Sequence, residues 1–364
     1  MSTTSLATFA CGIALGVGLP SHVLAQDVET IASGLNNPRG IAFAPNGALY
    51  VAEMGNGGPG PCIPSPAAPV PRCYGESGAI TRIDPHTATG FKRILTGLPS
   101  LGLPNGTGEG GAADLSFHGM VAYVTMGWGG DPALRSTFGS PGALFGSLLS
   151  VKPNGKYKVL ADVSQHEVLF NPYGGAIDTN PYGVLALPGR RIVADAGANA
   201  LIEVRANGRS RTFVVLPPAS GGRDPVPTAV AEGPDGALYV GQLTGFPFFR
   251  ATSTVLRVSS DGSSMEAYAS GFTAVVDLAV DCDSTLYVLE IASGQTPPFP
   301  PPAPGLGDGQ LVRQCPGGAR EVLLDGLVFP AGVALGPDDD IYLTNFGTSA
   351  TLGEVLRLTV APCP

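Results

Sequence analysis

The chain has 364 residues, a net charge of −9 and only 13% charged side chains, a balance that offers nucleic acid no electrostatic footprint and makes an acidic partner a poor fit. Gly (52) and Pro (35) are abundant and no long stretch has helical periodicity, so the composition favours many short strands joined by turns over a helical fold.

The first feature in chain order is an apolar run at residues 6–19, too short to span a bilayer and followed by small residues at 23–25. Residues 1–25 are therefore predicted to be a secretory signal. No Lys or Arg precedes the run, so an amino-terminal anchor or a different start of the chain stands as the alternative. Residues 26–364 are predicted to form a single domain without a membrane span.

After the signal comes "VETIASGL" (28–35), then "GIAFAPNGALYVAE" (40–53). The second phrase recurs as "AVAEGPDGALYVGQ" (229–242), "DLAVDCDSTLYVLE" (277–290) and "GVALGPDDDIYLTN" (332–345), with weaker copies at 114–126 and 183–195. A phrase repeated at intervals of tens of residues is the mark of a repeat architecture. Each of the six units holds an apolar strand, a tight turn, the "ALYV"-like strand, and third and fourth strands such as "GAITRID" and "FKRILTGL". The sixth unit has no fourth strand of its own, and residues 28–35 carry the wording of one. The predicted fold is all-β: a six-bladed β-propeller of four-stranded antiparallel blades, its ring closed by the amino-terminal strand. A tandem of small sandwiches would leave the missing strand unexplained.

The turns between first and second strands, such as "PNG" and "PDG", are short and belong to the scaffold. Longer connections at 55–77, 127–141, 243–253 and 292–309 follow second strands, and those at 99–110 and 164–180 follow fourth strands. In an antiparallel blade both sets emerge on one side of the ring, which becomes the candidate ligand face. Trp128, Phe246 and Phe248 lie in these connections as candidate ligand contacts, although aromatics in Pro-rich loops more often pack the loops down.

Two sets of equivalent positions open onto that face. The second strands end in Glu53, Met126, Asp195, Gln242, Glu290 and Asn345, which read either as braces for the following loop or as oxygen ligands of the kind calcium prefers. First strands begin with small residues except at Asp114 and Asp277, in opposite units. Desolvation would raise the pKa of both carboxylates unless a cation or backbone donors compensate. Asp114, Asp277, Glu53, Asp195 and Glu290 are the candidate ligands for Ca²⁺ or another divalent cation. Arg39 and Tyr182, one residue upstream of small partners, could contact an anionic or aromatic ligand. The four histidines (His22, His86, His118 and His166) are too scattered for a His-dependent site. No nucleotide or flavin fingerprint is present.

"NPYGVLALPGRRIVADAGANALIEV" (180–204), "GPDGALYVGQLTGFPF" (233–248) and "NNPRGIAFAPNGALYVAE" (36–53) resemble the ScyD/ScyE family of exported bacterial propellers. The resemblance covers nearly all of the mature chain. It implies a six-bladed propeller related to the SMP-30/gluconolactonase and NHL groups, and no settled reaction. SMP-30-like lactonases hold one divalent ion with Glu, Asn and Asp at first-strand starts. Here Arg39, Tyr182, Thr228 and Ala331 stand at the corresponding places, a departure from that pattern.

The sequence thus predicts a secreted or periplasmic, monomeric propeller that binds a small molecule, aromatic ones included, at the axial mouth of the long-loop face. The alternatives are a divalent-cation-dependent hydrolase or isomerase of SMP-30/gluconolactonase-like type, and a protein-interaction platform. Of the cysteines, Cys62–Cys73 is the expected disulfide and Cys282–Cys315 a second one, with Cys363 left over.

Overall fold

The computed structural model describes residues 27–85, 90–246, 248–292 and 309–363. The expected signal at 1–25, His86, and most of the connection at 292–309 lie outside the described residues.

The strands follow the repeat. They are β1 (Val28–Leu35), β2 (Pro38–Phe43), β3 (Leu49–Glu53), β4 (Cys62–Ile63), β5 (Arg72–Ile83), β6 (Phe91–Gly102), β7 (Gly108–His118), β8 (Val121–Gly127), β9 (Ser147–Val151) and β10 (Tyr157–Asp162). Next come β11 (Pro181–Leu187), β12 (Arg190–Asp195), β13 (Ala200–Arg205), β14 (Ser210–Val215), β15 (Pro227–Glu232), β16 (Leu238–Gln242), β17 (Ser253–Val258) and β18 (Met265–Phe272). The last are β19 (Val275–Val280), β20 (Leu286–Glu290), β21 (Gly309–Gln314), β22 (Arg320–Leu327), β23 (Val333–Leu335), β24 (Ile341–Asn345) and β25 (Gly353–Leu358). The fold is an all-β propeller of antiparallel, four-stranded blades.

β11 to β14, β15 to β18 and β19 to β22 each form a four-stranded sheet in sequence order. A fourth such sheet runs β1-β25-β24-β23, with Val28 opposite Leu358 and Leu35 opposite Gly353. The remaining strands make one nine-stranded sheet in the order β10-β9-β8-β7-β6-β5-β3-β2, with β4 added to β5. Its two halves are joined by the pairs Leu101↔Gly110 and Gly102↔Gly108. Residues expected to be loop at 99–110 are thus largely strand, because glycines at 108, 110 and 111 leave the two backbones free to approach and pair.

Each second strand is buried along its whole length in β3, β16, β20 and β24. Both faces of "ALYV" are apolar because each sheet is covered by its neighbours. Leu49 and Val51 pack with Tyr342 and Val355 across one such contact. Ile192 and Leu201 pack with Leu238 and Val240 across another. Burying one Leu or Val side chain contributes about 1.5–3 kcal/mol, so these interfaces supply most of the favourable free energy.

The innermost strands touch in the order β2, β7, β11, β15, β19, β23 and back to β2. Threonine hydroxyls on first or second strands reach the innermost strand of the next blade: Thr125 Oγ1 (β8) donates to Tyr182 O at 2.5 Å, Thr228 Oγ1 (β15) to Val275 O at 2.8 Å and Thr344 Oγ1 (β24) to Arg39 O at 2.8 Å.

Cys62 pairs with Cys73, tying β4 to β5 as expected. The second described disulfide corrects the expected Cys282–Cys315 pairing: Cys315 bonds to Cys363, with their Cα atoms 5.8 Å apart. The carboxy-terminal segment returns across β21, where Arg313 donates to Ala361 O, and this carries Cys363 to the turn that holds Cys315. Among the described residues no helix is long and apolar enough to cross a membrane.

Candidate axial ligand site

Glu53, Asp195, Glu290 and Asn345, at the ends of second strands, share one structural role. Glu53 accepts from Asn36 N at 2.7 Å, Asp195 from Asn180 N at 2.6 Å, Glu290 from Thr273 N at 2.7 Å and Asn345 from Val328 N at 2.8 Å. In every case the donor lies in the chain just before the first strand of the same blade, so the side chain fixes the entry into that blade.

Their remaining oxygen valences are also filled. Glu53 takes two bonds from Arg93, at 2.8 and 2.7 Å, and one from Thr81. Asp195 takes Thr179 Oγ1 at 2.6 Å and the amides of Gly197 and Ala198. Glu290 takes Gln310 Nε2 at 2.5 Å. Burial pushes Asp195 up to about 6 against the pull of those hydrogen bonds, and it raises Glu290 as well. Three of the candidate metal ligands, Glu53, Asp195 and Glu290, are thus braces in three different blades.

Asp114 and Asp277 behave differently. Asp114 Oδ2 accepts from Val184 N at 2.8 Å, and Asp277 Oδ2 from Val333 N at 2.7 Å. Each donor belongs to the first strand of the following blade, so the compensating backbone donors weighed in the sequence do exist. Asp277 Oδ1 also accepts from Leu278 N at 2.9 Å. Although they come from well-separated units, the two aspartates feel one another across the axis. Burial and then the charge of Asp277 hold Asp114 well above the usual carboxylate range. Burial pushes Asp277 up to about 7.

The approach is close because small residues line the axis: a Cβ on Gly40 would fall 1.9 Å from Asp114 Oδ1.

Tyr182 sits between these charges. Its hydroxyl is raised by burial, lowered by the neighbouring Arg39, which hydrogen-bonds it, and raised again by the charges of Asp277 and Asp114. Arg39 is 8% exposed, donates one bond to Gly108 O at 2.8 Å, and has a buried Nε with no partner. No described ion pair joins Arg39 to either aspartate. Asp114, Asp277 and Tyr182 all keep partial solvent exposure.

Calcium takes six to eight oxygens at about 2.3–2.6 Å. Asp114 and Asp277 already accept backbone N–H bonds, and among the described residues no three His, Cys, Asp or Glu side chains converge as a metal site. The donor set does not fit such an ion.

The aromatic candidates separate. Trp128 is fully buried among Phe138, Phe145 and Leu101, with the Arg72 guanidinium 5.0 Å from its ring centre, and has no face open to a ligand. Arg72 holds this loop down by donating to Trp128 O at 2.6 Å and Gly129 O at 2.5 Å. Phe246 is 80% exposed and meets Phe248 edge to face at 5.8 Å, remote in sequence and role from the axial group. His166 is buried, hydrogen-bonded to Ser210 and Thr212, and stacked on Phe170.

One buried acid was not anticipated. Glu167, on the helix Val163–Phe170, is 2% exposed and its Oε2 has no partner. Burial and the charges of Asp195 and Asp178 push it up to about 7. Nothing in its sequence context distinguishes it from a surface helix glutamate.

No protein-family model and no curated protein matches the sequence. Solved structures do match in fold. A protein of unknown function from Bacteroides thetaiotaomicron aligns with a TM-score of 0.56 at 11% identity, over 93% of this chain and 76% of its own. A glucose dehydrogenase aligns with a TM-score of 0.50 at 13% identity, over 92% of this chain and 100% of its own. A streptogramin B lyase reaches 0.49 at 14% identity, over 92% and 98%. At such identities the likeness concerns the propeller fold alone.

Proposed function

We propose that the chain is an exported six-bladed propeller, closed by β1, that binds a small organic molecule at the mouth of its central channel. Taking the nine-stranded sheet as two blades fused at β6 and β7 gives six units, and the cyclic order of the innermost strands supports that count. Two disulfides suit an oxidising compartment, which agrees with the resemblance to exported ScyD/ScyE propellers.

The observation that carries the binding reading is the buried, unpartnered Nε of Arg39, close to Tyr182, whose hydroxyl also responds to the charges of Asp114 and Asp277. Polar groups inside a fold normally satisfy one another. Here a guanidinium nitrogen is left without a partner while burial holds two carboxylates above their usual range, and the Tyr182 phenol responds to all three. Such a set of convergent polar groups beside an aromatic surface suits a small polar ligand.

The test is a metabolite screen of the purified mature chain by thermal unfolding, repeated on Arg39→Gln and Tyr182→Phe. A ligand that raises the midpoint of the wild type should raise that of either variant much less. Hits whose shifts survive both substitutions would place binding elsewhere.

A further inference from the structure

Two equivalent clefts between neighbouring sheets are lined differently. At the first, Arg93 on β6 reaches the outer strand β1, donating to Gly34 O at 3.4 Å, and its guanidinium makes two bonds to Glu53. Thr81 Oγ1 and Asn36 N donate to the same carboxylate, so each Glu53 oxygen has two donors, the full complement of a carboxylate.

Strand register places the same positions in the sheet of β19 to β22. Glu290 ends its second strand as Glu53 does. Val51 is paired with Thr81 and Thr81 with Arg93; correspondingly, Val288 is paired with Val312 and Val312 with Val322. Two valines thus replace a hydroxyl and a guanidinium. Among the described residues each Glu290 oxygen accepts one bond, from Thr273 N or from Gln310 Nε2, which leaves a second lone pair on each. Where Arg93 would stand, this sheet has a cavity of about 420 Å³ lined by Glu290, Gln310, Val312, Val322 and Arg320. That volume is in the range of small-molecule sites.

Arg320 is held in place without being spent on Glu290. Its guanidinium lies 3.9 Å from the centre of the Phe272 ring and donates through Nη2 to Ser270 O at 3.1 Å and to Gln314 Oε1 at 2.6 Å. Its Nη1 makes no described hydrogen bond, and no described ion pair joins it to Glu290. Burial lowers the Arg320 pKa and the charge of Glu290 raises it, so the two groups feel one another while both line the cavity.

A ligand carboxylate would gain from Arg320 and Arg250, which also lines the cavity, and be repelled by Glu290; an ammonium would do the reverse. A zwitterion would have to shed the hydration of two full charges. A hydroxyl donates to a carboxylate and accepts from a guanidinium while bringing no charge, and both are charge-assisted bonds. Thr81 makes the first of these contacts on Glu53.

We propose that this cleft binds a neutral, hydroxyl-rich molecule of the sugar class, with neighbouring hydroxyls donating to Glu290 and accepting from Gln310 and Arg320, and Val312 and Val322 against its C–H face. The site shares no residue with the axial group and does not depend on the axial reading.

Saturation-transfer NMR of the mature chain tests it, with glucose, galactose, mannose, xylose, myo-inositol, maltose and cellobiose as probes and acetate, methylguanidinium and glycine as charged comparisons. At least one sugar should bind with a dissociation constant of about 1 mM or below, more tightly than every charged probe. Val322→Arg puts into the cleft the guanidinium that Arg93 supplies to Glu53, and should weaken that sugar about tenfold or more. Val322 is 50% exposed, so this variant is expected to fold. Glu290→Gln keeps an oxygen for Thr273 N and should weaken the sugar similarly. Absence of binding by all the sugars, tighter binding by a charged probe, or sugar binding unchanged by Val322→Arg overturns the proposal. Each of these results leaves the axial reading, which is tested by Tyr182→Phe, unaffected.

Discussion

Replacing Glu167 by Gln should stabilise the protein at alkaline pH and leave it nearly unchanged at acid pH. The carboxyl is buried, its Oε2 lacks a partner, and Asp178 and Asp195 oppose its ionisation. In the folded chain it holds its proton up to about pH 7, whereas its ordinary value is 4.5. Folding is therefore favoured while the group is protonated in both states, and that advantage is lost as pH rises from about 4.5 to about 7. Above pH 7 both states carry the charge, well solvated in the unfolded chain and poorly solvated in the folded protein. Two and a half pKa units at about 1.36 kcal/mol each set an upper limit of about 3 kcal/mol, which solvent and relaxation reduce. Gln removes the charge and keeps an oxygen to accept from the Asp178 amide. Urea unfolding of both proteins at pH 5 and pH 8 measures the effect. The variant should be about 1–3 kcal/mol more stable than wild type at pH 8 and within about 1 kcal/mol at pH 5. Equal or lower stability at pH 8 would refute the view that Glu167 is a buried charge held at a cost.

Other substitutions probe the scaffold. Gly40→Ala places a methyl group 1.9 Å from Asp114 Oδ1 and 2.7 Å from its Cα, so it should cost about 1–3 kcal/mol in chemical unfolding and weaken any axial ligand. Glu53→Ala leaves the Asn36 amide and the half-buried Arg93 guanidinium without the carboxylate they share, and a loss of about 1–3 kcal/mol is expected; a change below about 1 kcal/mol would deny it the role of brace. Cys315→Ser with Cys363→Ser opens a closure spanning 48 residues, for which loop entropy gives about 4 kcal/mol, checked by comparing denaturation midpoints. Deleting residues 28–35 leaves β25 as an open edge, and light scattering should then report aggregation of a chain that is otherwise monodisperse.

Much of the fold is legible in one phrase. "GALYVAE" encodes a strand apolar on both faces that ends in a polar brace, and its recurrence marks the second strands of the units. Strand β1 was identifiable because "VETIASGL" shares its wording with "REVLLDGL", and its pairing with Gly353–Leu358 is observed. The joining of β6 to β7 was not legible, since glycines carry no pattern that separates a loop from a close backbone pairing. Nor was the Cys315–Cys363 bond, which depends on where the carboxy-terminal segment returns.

At the site, Asp114 and Asp277 stand out by breaking a row of small residues, and Arg39 and Tyr182 lie one residue upstream of Gly40 and Gly183 in that row. That two aspartates from opposite units come within reach of each other depends on how narrow Gly40 and its counterparts make the axis. The threonines that stitch the innermost strands, Thr125, Thr228 and Thr344, looked like ordinary strand residues. Glu53, Asp195 and Glu290 matched both readings of their position equally well. Only the count of donors around each one separates a brace from a metal ligand.

The most direct measurement of the central claim is carbon-13 NMR of tyrosine-ring-labelled protein titrated with a ligand found by screening, the Tyr182 signal being assigned by Tyr182→Phe. The account predicts a saturable shift of that signal, with the same dissociation constant as calorimetry. A ligand that saturates the protein while the Tyr182 signal stays in place would contradict it.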